Sequence, residues 1–161
     1  MNLSGLAKKL SDDPRFDKIT NEVEGLPGSS VAAFYSALFL RTNKTVLVIS
    51  QNAESLASDI KAFAGEKIVS CFPSWDTFPT EDISPSKEII GERLKILDRL
   101  SGGEKLIVTA NIKSAITRAI PRNVLQKYTI NLKFGSSQVK RDELTGNLIK
   151  IGFKRRDIVG E

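Results

Sequence analysis

Histidine is absent from this 161-residue chain, and cysteine, tryptophan and methionine occur once each. Without imidazole the usual general base near neutral pH is excluded, as is the commonest metal ligand. With Cys71 as sole thiol no internal disulfide can form, and no usual zinc site can be assembled. A reducing, cytoplasmic setting is the expectation that follows. Long apolar runs are missing too. The longest, VAAFYSALFL at 31–40, is about half of the ~20 residues that a membrane helix needs, and it ends at Arg41. The opening MNLSGLAKKLSDDPRF mixes acids and bases early and has no signal-peptide core. No membrane partner, metal or cofactor is expected.

What is present is an ordinary globular composition, with 40% hydrophobic and 27% charged residues. The formal net charge of +5 is unevenly placed. Residues 1–120 carry 15 basic and 15 acidic side chains, whereas 121–161 carry 9 and 4. The whole excess lies in the last quarter. A change of module near residue 120 is expected, giving domains 1–120 and 121–161 with a basic surface on the second.

Three short apolar runs rich in β-branched residues read as strands: 45–50 (TVLVIS), 67–72 (KIVSCF) and 105–110 (KLIVTA). Their lack of alternation predicts burial on both faces, as in a parallel sheet. Helical patterns separate them. Residues 28–41 are apolar nearly all round and predict a deeply buried helix. Residues 52–64 place Leu56, Ile60 and Phe63 on one face, with Asn52 as N-cap and Gly65 past the end. Residues 85–100 form a broad apolar stripe, with Ser84 as cap and Pro85 first. The fold class that results is α/β, with a layered parallel-sheet domain first. Beyond Pro121 the pattern changes. YTINLKF (128–134) alternates as a half-exposed strand, 139–151 reads as a helix ended by Gly152, and FKRRDIV (153–159) reads as another strand. Two strands and one helix are marginal alone. Part of a smaller α+β domain is therefore expected, in a chain that is a fragment.

Three stretches suit either chemistry or a plain structural role. GLPGSSVA (25–32) has the outline of a phosphate loop, G-x-x-x-x-G-K-[ST]. Gly25 keeps the first glycine and Gly28 and Ser29 lie inside the loop. Ser30 replaces the second glycine, Val31 the lysine and Ala32 the Ser/Thr. An ammonium and a metal-binding hydroxyl are lost, each of which holds phosphate or metal through charged contacts of ~1.5–3 kcal/mol. The loop then reads either as an anion site or as a strand-to-helix turn capped by Ser29 or Ser30. Asp76, Glu81 and Asp82 form an acidic Pro-rich loop that suits metal or acid–base work, or a structural loop over Trp75 and Phe78. The charges of 87–99 read as the solvated face of a helix. Lys154, Arg155 and Arg156 suit phosphate or an acidic protein face, or plain solubility. No aromatic interleaving of a base-stacking platform accompanies them. Cys71, within its strand, reads as a small core residue.

The segment FPSWDTFPTEDISPSKEIIGERLKILDRL (72–100) resembles the F-P-x-W-[DE]-x-x-P…S-P-x-x-x-I-x-x-E-R-L-x-x-L-x-x-L stretch of bacterial transcription-repair coupling factors (Mfd). The likeness continues through LIVTANIKSAITRAIP and into LKFGSSQVKRDELTGNLIKIGFKRRDIVGE, and it covers nearly the whole chain from about Val23. The resemblance implies an N-terminal region similar to UvrB: a RecA-like, P-loop-NTPase-like domain 1a that has lost its nucleotide loop, then the start of domain 2. In this family domain 2 docks the repair protein UvrA. The basic residue of its Y-x-R-N-D turn falls on Arg155, with Asp157 matching the family Asp. The family's ATP-driven DNA translocase and RNA-polymerase contact lie in parts beyond this stretch. The implied role is a non-catalytic module that recruits UvrA through Lys154, Arg155 and Arg156. Two alternatives stay open: a nucleotide-binding enzyme with an atypical loop, and a basic DNA-binding module. Exposed strand edges could also pair two copies.

Overall fold

Three short parallel strands organise the first part of the computed structural model, which describes residues 3–19, 22–77, 83–132 and 140–155. They are β1 (Val46–Ile49), β2 (Val69–Phe72) and β3 (Ile107–Ala110). Their spatial order is β1-β3-β2, with Val46 and Val69 both in register with Ile107. All three expected runs thus form strands, with trimmed ends. The last in sequence is the central one, and its four residues are all buried.

One face of the sheet is covered by α1 (Leu3–Ser11), α2 (Ser30–Thr42) and α3 (Ala53–Ala64). Ala7, Ala32, Ala33 and Ala57 join Phe39, Ile60 and Phe63 over Val48, Val69 and Ile107. Alanines in this layer let the helix axes approach closely. The other face is covered by α4 (Lys87–Ser101), whose Ile96 meets Leu106 and Val108, with Phe72 and Leu100 alongside. The class is α/β, with helices on both sides of a small parallel sheet. Compact units span Met1–Ala119 and Ile120–Glu161. The first also contains the short α5 (Ile112–Ile116); the second contains α6 (Arg122–Tyr128) and α7 (Arg141–Lys150).

Several expectations need correction. β1 is not buried on both faces: Leu47 and Ile49 are 59% and 53% exposed. α4 lies over β2 and β3, and β1 is an edge. The helix expected over 85–100 begins two residues later. Its cap is Ser86, whose Oγ accepts the Ile89 N–H at 3.5 Å, because the Asp76 carboxylate takes the Ser86 N–H at 3.2 Å and holds that residue extended. Pro85 therefore stands before the cap. The strand expected over 128–134 is absent where the chain is described. Tyr128 ends α6, and residues 129–132 have no strand pairing. Residues 133–134 lie outside the described residues. Alternation alone cannot make a strand without a neighbour to pair with. The expected strand at 153–159 is likewise not formed at 153–155, and 156–159 lie outside the described residues.

α1 was not among the expected helices, although its apolar residues recur at helical spacing. Leu3, Ala7 and Leu10 meet the core, and contacts at the helix end hold it in place. Arg41 of α2 donates to the Ser11 carbonyl at 2.6 Å and pairs with Asp17. In the 3₁₀ turn Pro14–Lys18, capped by Asp13, Phe16 stacks on Phe34 with ring centroids 5.4 Å apart.

Candidate functional site

The basic residues singled out in the second unit are positioned by the end of α7. Gly152 adopts φ +99°, a left-handed conformation that costs a glycine little. Its N–H donates to the Ile149 carbonyl at 3.0 Å, and the Phe153 N–H reaches back to Leu148 at 3.0 Å. This is the Schellman pattern, with glycine just past the helix. It stops the helix and folds Phe153, Lys154 and Arg155 back beside the last turns of α7.

The consequence is a groove of about 430 Å³. Arg141, Thr145, Leu148 and Ile149 line one wall, and Phe153, Lys154 and Arg155 line the other. The first four recur at helical spacing and so share a face. Lys154 and Arg155 are thereby brought together with Arg141, which sequence reasoning missed. The signal was available: Arg141 stands two turns before Leu148 on the same stripe. Arg156 lies outside the described residues. No described carboxylate lines this groove. Asp142 and Glu143 belong to the first turn of α7, where acids complement the helix dipole. A larger hollow of about 730 Å³ involves Tyr128–Asn131 and α7, and it carries Glu143 as well as Lys127 and Lys150.

The loop of 25–32 is a turn into α2. Gly25 and Gly28 take φ +72° and +53°. Ser29 stands at the N-cap, yet its side chain makes no capping hydrogen bond. Ser30 is the first helical residue, and its hydroxyl donates to the Pro27 carbonyl at 2.7 Å. Neither serine caps the helix as expected. No strand precedes the loop among the described residues, so it is an irregular-to-helix turn. Ala32 is fully buried against the core and Val31 is half-buried.

In the 72–100 segment the structure departs from the sequence reading at a further residue. Arg93, expected on a solvated face, is 2% exposed. Its guanidinium lies 4.1 Å from the Phe72 ring centroid and 4.2 Å from that of Trp75. Nη1 donates to the Pro73 carbonyl at 2.6 Å, while the buried Nη2 has no partner among the described residues. Desolvation lowers the Arg93 pKa. Asp76 is a structural acceptor for Ser86; hydrogen bonding to Ser86 outweighs desolvation and lowers its pKa. Trp75 is half-buried against Arg93, in line with the structural reading of this loop. Phe78, Glu81 and Asp82 lie outside the described residues. Cys71 packs half-buried against the core. Among the described residues no helix is long and apolar enough to cross a membrane.

No family model matches the chain. Curated relatives do. A transcription-repair-coupling factor of Bacillus subtilis is 30% identical over 138 residues, covering 84% of this chain and 12% of the relative. One from Staphylococcus epidermidis is 24% identical over 166 residues, covering 97% and 14%. One from Escherichia coli is 26% identical over 139 residues, covering 84% and 12%. The chain thus spans about an eighth of the length of these relatives, and the likeness read from residues 72–100 holds along most of it.

Proposed function

We propose that this chain, a relative of the transcription-repair-coupling factors in their N-terminal region, is a docking module for transcription-coupled DNA repair. In this reading the first unit is a UvrB-like, RecA-like domain 1a that serves as a rigid, non-catalytic base. Val31 and Ala32 stand where a lysine and a hydroxyl would grip a nucleotide. The second unit is the start of domain 2, and it recruits the repair protein UvrA in the cytoplasm. RNA polymerase and DNA are engaged elsewhere in the whole protein, by an ATP-driven translocase that displaces stalled polymerase.

One observation carries the reading. Lys154 and Arg155 share a groove with Arg141 and with no described carboxylate. A surface of this kind steers an acidic partner and sets specificity more than affinity. The test is binding of purified UvrA to this chain and to its Arg155→Glu and Lys154→Glu variants. Reversal of either charge is expected to slow association, and more so at low salt. Unchanged association rates in both variants would remove the groove from the UvrA contact.

A further inference from the structure

The groove beside α7 offers more than charge. Ile149 and Phe153 are 55% and 62% exposed, and Leu148 shares the lining with them. Cations border this apolar floor: Arg141 of α7 on one wall, Lys154 and Arg155 on the other. A partner that was only acidic would leave the floor in water. Its contacts would also fade with salt, since charges separated by more than ~8 Å are largely screened at physiological ionic strength.

The geometry points to a partner segment of definite chemistry: a large apolar side chain flanked on both sides by carboxylates. This rests on the reading of the second unit as a docking site, and it names what that site grips. The apolar side chain seats on Ile149 and Phe153. One carboxylate meets Arg141, where a planar guanidinium suits a bidentate pair. The other meets Lys154 and Arg155. Apolar anchors ringed by polar contacts are the usual centre of binding energy in protein interfaces. Nucleic acid fits less well. Its phosphates would satisfy the cations, but the floor is two aliphatic side chains and a single ring, not a succession of stacking surfaces.

Fluorescence anisotropy with the full chain tests this. The probes are a labelled peptide of glutamates around one phenylalanine, the same peptide with serine in place of the phenylalanine, and a single-stranded oligonucleotide. UvrA is titrated in parallel. The glutamate–phenylalanine peptide is expected to bind. Loss of its phenylalanine, or Phe153→Ala in the chain, should weaken binding about tenfold or more at every salt concentration. The effect of Arg141→Glu should instead shrink as salt rises. Equal binding of the serine peptide, or tighter binding of the oligonucleotide, overturns the inference. So does Phe153→Ala with no effect on the peptide, and if UvrA still binds in that case the function proposed above survives alone. If the peptides behave as expected and UvrA does not bind, the groove chemistry stands and its assignment to UvrA falls.

Discussion

Arg93 is a cation sealed between two aromatic rings, with Nη2 unpaired among the described residues, and replacing it weighs opposing effects. The Nη1 bond to the Pro73 carbonyl, at 2.6 Å, is a charged hydrogen bond, of a kind that contributes about 1.5–3 kcal/mol. The contacts with Phe72 and Trp75 at 4.1 and 4.2 Å add about 1 kcal/mol each. Against these stands the buried, unpartnered Nη2, whose desolvation costs about 1–3 kcal/mol. The contacts exceed the cost, leaving about 2 kcal/mol in favour of arginine. Arg93→Ala also opens a void between the rings, and large-to-small core changes cost about 2–5 kcal/mol overall. The expected destabilisation is about 3 kcal/mol. Arg93→Met, which fills the space without a charge to desolvate, should cost about half as much. Urea unfolding followed by fluorescence reads this directly, because Trp75 is the only tryptophan and rests on Arg93. With a slope of about 2 kcal/mol/M, the alanine variant's midpoint falls by about 1.5 M. Far-UV circular dichroism controls for the altered surroundings of the indole. An alanine midpoint equal to the parent's would refute the view that the cation is bound by its rings and its carbonyl.

Ile107→Ala on the central strand, fully buried, should cost about 2–5 kcal/mol in the same assay. Leu47→Ser on the bare face of β1 should cost about 0.5 kcal/mol or less. Gly152→Ala has room for its methyl group but not the backbone freedom at φ +99°. It should weaken the last turn of α7 by about 1–2 kcal/mol, seen as faster amide exchange at Phe153, and displace Lys154 and Arg155. Hydrogen bonds from the Arg15 side chain and then its N–H lower the Asp13 pKa from 3.8 to about 2. The folded value is depressed, so this contribution to stability is complete above the unfolded pKa. It disappears as pH falls from about 4 toward 2. Carboxyl-detected NMR titration should place the Asp13 midpoint near 2 and move it upward in Arg15→Ala.

The three strands of the first unit and its helices α2, α3 and α4 were readable because their signals are local. TVLVIS, KIVSCF and KLIVTA are short, apolar and β-branched, and Gly65 ends α3 with φ +92° just past Ala64. The end of α7 was readable for the same reason, since Gly152 supplies the conformation that a helix terminus demands. Failures came where a distant partner decides. SPS offers two serines as caps, and only the Asp76 carboxylate selects the second. YTINLKF alternates perfectly, yet its described residues have no strand beside them. Arg93 belongs to a run of charges that looks solvated, and only the placement of Phe72 and Trp75 reveals that it is buried.

The residues by themselves determined that no imidazole and no internal disulfide is present, that Val31 stands where a phosphate loop would carry its lysine, and that the positive excess gathers beyond residue 120. These are matters of which atoms the chain owns, and no folding can alter them. Tertiary structure alone decided that the last strand is central and that β1 keeps one face bare. Each depends on which surfaces meet across long stretches of sequence, and burial and charge acquire their energies only through that meeting.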